Sequence, residues 1–114
     1  MRIDSFSFGS ITIDGEDYVH DLLLLPPRVI SGWWRKEGHS VSVRDLAQVT
    51  AYHPEILVVG TGVPGMMRVP ESTIRDMEST GIKMEVYPTQ QACSRLNNLL
   101  EKEEKVAGAL HLTC

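Results

Sequence analysis

The sequence has few of the features that would assign it to a specialised class of protein. Its two cysteines, Cys93 and Cys114, form neither a CxxC pair nor a zinc-ligand spacing, so we expect free thiols rather than a zinc site or a disulfide framework. Lysine and arginine total 11 against 15 acidic residues, which gives a net charge of −4. A general nucleic-acid-binding role is therefore not expected, because such proteins are usually basic.

Long apolar runs are also missing. No stretch approaches the roughly 20 apolar residues that cross a bilayer, and the N-terminus lacks the basic and apolar regions typical of a signal peptide. Apolar residues make up 42% of the chain and charged residues 23%, the balance of an ordinary soluble globular protein. We therefore expect a single domain over residues 1–114, located in the cytoplasm.

The most informative stretch is residues 56–67, which read ILVVGTGVPGMM. A β-branched apolar run is followed by the glycine loop Gly60-Thr61-Gly62, and a helical pattern begins after Val69-Pro70. This order is typical of a buried parallel strand that leads through a glycine loop to a helix. Because open α/β sheets bind ligands beyond the carboxyl ends of such strands, a ligand site is expected at this loop.

The N-terminal part of the chain has the period-two apolar pattern of strands in a hairpin or meander, over residues 6–13 and 18–25. Pro26-Pro27 ends the second strand, because neither proline can donate to a ladder. Residues 28–42 are the least regular in the chain. A short helix is predicted after Ser42, where the sequence resembles a capping box.

The second half of the chain alternates between helical and strand patterns, with helices over 71–80 and 90–102 and strands over 82–87 and 106–112. Strands 56–59 and 82–87 should lie parallel, because β-α-β crossovers are right-handed in nearly all known proteins. We predict an α/β fold with a mixed central sheet and flanking helices, β-rich in its N-terminal part and β-α-β-α-β afterwards.

An ordered set of residues along the whole chain carries a resemblance to a known family. The set is Tyr18 with its apolar strand, Trp34, the Val-Val-Gly-Thr-Gly loop, Val69-Pro70, Gly81-Ile82, Thr89 with Ala92, Asn97, and Ala-Leu-His-Leu-Thr-Cys at the end. It resembles the small single-domain α/β family that includes the adipogenesis-associated domain protein and a mitochondrial complex I assembly factor. The resemblance implies a mixed sheet with packed helices and assembly or regulatory roles in eukaryotic relatives. It implies no catalytic residues.

The glycine loop is the predicted site for a small anionic ligand, with Gly60, Thr61, Gly62, Arg68 and Thr89 as its residues. Unpaired amides at the start of a helix attract anions, and Thr89 should open on the same sheet edge as Thr61. The alternative is that the glycines serve only a tight turn and that Thr89 is a plain N-cap. The loop fits neither a GxxxxGK[ST] nor a GxGxxG pattern, so nucleotide binding is not expected.

Trp33 and Trp34 form the predicted partner surface, because tryptophan is enriched at binding hot spots and loops provide exposure. The alternative is that one of them closes the end of the sheet while the other is partly exposed. Four basic residues surround the pair in the sequence: Arg28, Arg35, Lys36 and Arg44.

Two further constellations carry weaker signals. His111 and Cys114 suggest a Cys–His nucleophile, but residues i and i+3 of an extended segment point to opposite faces, and the alternative is that this segment packs against the sheet. His20 and Asp21 are adjacent on a strand and face opposite sides, so no metal site is predicted. Cys93 lies on the apolar stripe of the last helix and is expected in the core.

We expect a non-catalytic binding or assembly-type domain, which holds a small anion at the glycine loop or contacts a protein partner through the Trp33-Trp34 pair. The alternative is a small enzyme acting at the same crevice. Against the enzyme stands the lack of an acid–base pair at a convincing spacing. No cofactor, nucleic acid or membrane is expected as a partner, and the sequence leaves the oligomeric state open.

Overall fold

The computed structural model describes residues 1–114 and divides eight strands between two sheets. The strands are β1 (Ile3–Ser7), β2 (Ser10–Ile13), β3 (Glu16–Tyr18), β4 (Leu22–Leu25), β5 (Arg28–Ser31), β6 (Ile56–Gly60), β7 (Lys83–Tyr87) and β8 (Val106–Leu110). The helices are a 3-10 helix (Val43–Leu46), α1 (Ala47–Tyr52), α2 (Glu71–Ser79) and α3 (Thr89–Glu101). No helix has the length and apolar character needed to cross a membrane.

The smaller sheet is the predicted meander, with β1, β2 and β3 paired antiparallel in chain order. Its inner face carries Ile11 and Ile13, which are buried against α3. The side chain of Asn97 on α3 fixes the sheet to the helix, because it accepts from the Ile3 N–H at 2.9 Å and donates to the Ile3 carbonyl at 2.8 Å.

The larger sheet has the order β5-β4-β8-β6-β7. Strand β6 runs parallel to both β7 and β8, whereas β4 runs antiparallel to β8 and β5. The predicted α/β fold with a mixed sheet is therefore confirmed, including the parallel pairing of the strands that flank α2.

Helices cover both faces of the larger sheet, and the core has two corresponding layers. One face packs against α1 and α2 through residues that include Leu57, Val49 and Met77. The other packs against α3 and the smaller sheet, and Cys93 lies there as predicted. Helix α3 approaches β8 so closely that a Cβ on Gly108 would sit 2.9 Å from Cδ1 of Leu96, which explains the glycine at this position.

Two local predictions were wrong. Residues 18–25 do not form one strand, because β3 ends at Tyr18 and residues 19–21 carry the chain from the smaller sheet to the larger one. The irregular stretch 28–42 begins with a strand, β5, which pairs with β4 in the register Leu25↔Arg28. Pro26-Pro27 does end β4, but it serves as a two-residue turn that starts a hairpin.

The short helical region begins as the sequence predicts. Ser42 and Asp45 form a capping box at the start of the 3-10 helix, and α1 continues from it. Helix α1 ends at His53, which adopts a left-handed conformation with φ 55° immediately before Pro54.

Candidate functional site

The glycine loop lies where the sequence places it, at the carboxyl ends of the parallel strands. Strand β6 ends at Gly60, which is in register with Tyr87 of β7 and Leu110 of β8. Residues 111–113, here called the covering segment, follow β8 and cross the mouth of this crevice. A Cβ on Gly62 would overlap the Thr113 carbonyl oxygen and would sit 2.7 Å from Cδ2 of His111. The crevice is therefore filled by the chain's own backbone and side chains.

The amides of the loop are all used within the protein. The Thr61 N–H donates to the Tyr87 carbonyl at 2.9 Å, and the Val63 N–H donates to the Thr113 carbonyl at 2.9 Å. The Gly62 N–H donates to Oγ1 of Thr89 at 2.8 Å. Anion binding at this position would need free amides, so it would require these hydrogen bonds to open. The anion site stays a prediction.

Thr89 does lie beside the glycine loop, as predicted, but the proposal that it is an N-cap was wrong. Pro88 is the residue before α3, and no side chain caps this helix. The fully buried Thr89 hydroxyl accepts from the Gly62 N–H and donates to the His111 carbonyl at 2.6 Å. It therefore joins the loop to the covering segment.

Arg68 is placed apart from these contacts. Its backbone pairs with a neighbouring loop, through its N–H to the His39 carbonyl at 2.7 Å and its carbonyl to the Val41 N–H at 3.0 Å. Its side chain is exposed. Of the predicted ligand residues, Gly62 and Thr89 are hydrogen-bonded to each other. The Arg68 side chain takes no part in their hydrogen bonds.

The covering segment is held by the carboxylate of Asp21, which no sequence motif assigns to a site. Oδ2 of Asp21 accepts from Nη2 of Arg35 at 2.9 Å and from Nδ1 of His111 at 2.8 Å. Oδ1 of Asp21 accepts from the Leu112 N–H at 2.8 Å. Nδ1 of His111 therefore carries a proton, since it faces a carboxylate oxygen.

Arg35 connects this cluster to the Trp33 side chain. Its Nε and Nη2 donate to the Gly38 carbonyl at 3.1 and 2.7 Å, and its guanidinium stacks 4.6 Å from the centre of the Trp33 ring. The Trp33 ring in turn donates from Nε1 to the Asp45 carbonyl at 2.8 Å. A continuous set of contacts thus runs from the covering segment to the start of the 3-10 helix.

The pKa of Asp21 reflects two opposing effects. Burial, the largest effect, raises its pKa, because it penalises the charged form. The hydrogen bonds from His111, from the Leu112 amide and from Arg35 together outweigh burial and lower the pKa of Asp21 to about 2. The carboxylate is therefore ionised at neutral pH and is stabilised by the segment that it holds.

Two buried nitrogens of the cluster have no hydrogen-bond partner, Nη1 of Arg35 and Nε2 of His111. In hydrolases with a catalytic triad, an aspartate orients a histidine whose Nε2 faces the nucleophile. Here the aspartate–histidine half exists, but Nε2 is closed to solvent and bonds to no hydroxyl or thiol. Cys114 is exposed and makes no hydrogen bond to His111. In this structure the arrangement holds the covering segment in place.

The aspartate–histidine–arginine cluster was missed because its members lie 90 and 76 residues apart in the sequence. One signal was available. Asp21 directly precedes four leucines that are all buried, and a carboxylate in such a position needs a charged or hydrogen-bonding partner. The sequence does not indicate which partner.

The two tryptophans have opposite environments. Trp33 is 7% exposed and is held by Asp45 and Arg35, whereas Trp34 is 74% exposed. This agrees with the alternative in which one ring closes the sheet and the other is exposed. Trp34 borders a shallow depression that Val19 and Thr113 also line.

We expect the Asp21 pairing to make stability depend on pH. A pKa lowered to about 2 from 3.8 means that the stabilisation is complete above the unfolded-state pKa and is lost as the pH falls from about 4 toward 2. Because part of the carboxylate contacts solvent, we expect this contribution to be roughly 1–2 kcal/mol. The free energies of unfolding of the wild type and of Asp21→Asn, measured in urea, should converge as the pH falls through this range. Asp76→Asn, at an exposed residue of α2, should retain the wild-type pH dependence, and equal pH profiles for both variants would contradict the assignment.

The tight contact between the glycine loop and the covering segment predicts that Gly62→Ala is strongly destabilising. Gly62 has φ +99°, and its added methyl group would meet Thr113 and His111. We expect a loss of at least about 3 kcal/mol in urea unfolding, from backbone strain plus overpacking. Gly15→Ala is the matched control, since Gly15 has φ +80° with no atom near the added methyl, and should cost only about 1 kcal/mol. Equal losses would show that the covering segment is not packed on Gly62.

Comparison with known proteins agrees with the resemblance seen in the sequence. Residues 3–111 match the family described as protein of unknown function (DUF498/DUF598). The chain is 31% identical over 111 residues to NADH dehydrogenase [ubiquinone] 1 alpha subcomplex assembly factor 3 of Danio rerio, covering 95% of this chain and 62% of that protein. It is 32% identical over 112 residues to the Homo sapiens protein of the same name, covering 96% and 59%.

Among solved structures, MT938 superposes with a TM-score of 0.83 at 25% identity and covers 99% of this chain and 98% of that one. The chain spans about three-fifths of the length of the curated relatives that it matches. The match over nearly all of the chain, together with the shared fold, shows that it belongs to the DUF498/DUF598 family.

Proposed function

We propose that this chain is a non-catalytic protein-binding domain that acts in the assembly of a larger complex. The support is that relatives matching 95–96% of this chain are named assembly factors of NADH dehydrogenase. The matched region is only part of those relatives, so the proposal concerns the binding role of this domain and not the identity of its target.

The exposed Trp34 ring is the observation that carries this proposal. Trp34 is 74% exposed although its neighbour Trp33 is fixed in the core. The backbone that bears Trp34 is thus rigidly held, and an exposed ring on a rigid support loses little entropy on binding. Large aromatic side chains are the commonest hot spots of protein interfaces.

Two other exposed apolar side chains lie near Trp34 or near the covering segment. Val19 is 64% exposed and lines a depression of about 360 Å³ with Trp34. Phe8 is 61% exposed and precedes Gly9, whose N–H donates to the Leu112 carbonyl at 2.7 Å. Several apolar residues exposed near one segment are typical of a contact surface for another protein.

The enzyme alternative has less support. A general base must reach the proton that it removes, yet Nε2 of His111 is buried without a partner. An oxyanion site needs free donors, yet the loop amides are bonded to Tyr87, Thr89 and Thr113. Both groups would first have to be released from the contacts that hold the covering segment.

Site-specific photo-crosslinking tests the proposal. With p-benzoylphenylalanine in place of Trp34, in cells that naturally produce the protein, we expect a discrete protein adduct. The control is the same amino acid in place of Lys102, an exposed residue directly after α3, where no discrete adduct should form. No protein adduct at position 34, or the same adducts at both positions, would contradict a protein-binding role for this surface.

A further inference from the structure

Strand β5 forms one edge of the larger sheet and pairs only with β4. The opposite edge strand, β7, carries Lys83 and Glu85, and Glu85 is also paired with Arg95 at 2.7 Å. Charged side chains on an edge strand discourage pairing with another chain. After Arg28, β5 continues with Val29, Ile30 and Ser31, which provide no such protection.

The register of the hairpin shows which backbone groups of β5 are free. Leu25 and Arg28 flank the two-residue turn and face each other, as do Leu23 and Ile30. In such a hairpin the pair beside the turn is hydrogen-bonded and the bonding alternates along the ladder. The N–H and C=O groups of Val29 and Ser31 therefore point away from β4, toward the open edge.

A groove lies beside this edge. It has a volume of about 460 Å³ and lies between β5 and the 3-10 helix, with an apolar floor formed by Leu23, Ile30 and Trp33 and with the exposed Trp34 at its side. Ile30 also lines a second depression of about 200 Å³, next to Arg28. An extended segment along β5 would thus find pockets for its side chains as well as free backbone groups.

The groove is lined by more basic than acidic side chains, although the whole chain carries a net charge of −4. Lys36 and Arg44 line the groove, and neither forms a salt bridge. Asp45 also lines it, but its carboxylate already accepts from the backbone N–H groups of Ser42 and Lys36. Arg28, at the start of the open edge, forms no salt bridge either.

We propose that β5 binds an extended segment of a protein partner that adds as a further strand and combines apolar with acidic residues. The free groups of Val29 and Ser31 form the ladder, an apolar side chain enters the groove beside Trp34, and carboxylates face Arg28, Lys36 and Arg44. Strand addition draws affinity from the backbone and specificity from the side-chain pockets. This inference rests on the proposed protein-binding function and specifies the mode of binding.

A second copy of the chain is a poorer occupant of the same edge. Pairing β5 with β5 would bring two sets of the same three unpaired cations, Arg28, Lys36 and Arg44, to one interface. Like charges that face each other across strands are destabilising. The charge pattern therefore favours an acidic segment from a different protein.

Selection from a displayed library of random dodecapeptides against the full chain tests this inference. Enriched peptides should alternate apolar residues with aspartate or glutamate. By fluorescence anisotropy, their Kd should rise at least about tenfold for Arg44→Glu, which reverses a charge facing the acidic residues, and for Trp34→Ala, which removes an aromatic contact. Arg75→Glu, on the exposed side of α2, is the matched charge control and should leave the Kd unchanged.

Amide hydrogen exchange with an enriched peptide bound locates the contact. Exchange at Val29 and Ser31 should slow, since their amides enter a ladder. Peptides that bind and depend on Trp34 without slowing these two amides would overturn strand addition, while the proposed protein-binding function would stand. Enrichment of basic peptides, or no enrichment, would also overturn the inference. In that case the crosslinking experiment at position 34 would test the protein-binding function independently.

Discussion

The carboxylate of Asp21 determines how the two halves of the chain meet. It binds Arg35 and His111 through one oxygen and the Leu112 amide through the other. The backbone carbonyl of Asp21 accepts from the Gly32 and Trp33 amides at 2.9 and 2.8 Å. A single residue between the two sheets therefore fixes the covering segment on one side and the tryptophan loop on the other. Because the ion pair is mostly buried, loss of either partner would leave a charge without compensation, which is costly.

This arrangement changes the role of the glycine loop. In many α/β proteins the carboxyl ends of parallel strands open into a ligand crevice, and here that position is occupied by residues 111–113. Thr89 completes the closure by bonding to both the loop and the His111 carbonyl. The surface that we propose for recognition lies around the exposed Trp34 and the open edge of β5. In the proposed function, the role of the buried cluster is to support this surface by holding the covering segment and the tryptophan loop together.

Much of the fold was predictable because its signals are local. The apolar run over 56–59, the helical stripe around Leu96 and the turn residues each act within a few positions. The sequence does not reveal the hairpin of β4 and β5, because a Pro-Pro pair predicts the end of a strand and here it also reverses the chain. The burial of Trp33 and the exposure of Trp34 match one of the two alternatives that the sequence allows for this adjacent pair.

The contacts at the site depend on long-range pairing and were less accessible. Asp21 and His111 are 90 residues apart, and no local pattern joins them. Threonine is a common N-cap residue, but the Thr89 hydroxyl bonds to the glycine loop and to the His111 carbonyl. Tertiary contacts of this kind override a local preference, since a buried donor or acceptor must be satisfied wherever the fold provides a partner.

Native-state hydrogen exchange of the free protein shows whether the covering segment closes the crevice. If the covering segment closes the crevice, the amides of Thr61, Gly62, Val63 and Leu112 will exchange as slowly as those of Val58 and Val59 in β6, because all of them open only with the core. Exchange of the loop amides that is orders of magnitude faster than that of β6 would contradict this account. It would show that the segment lifts from the loop and that the crevice is open to a ligand.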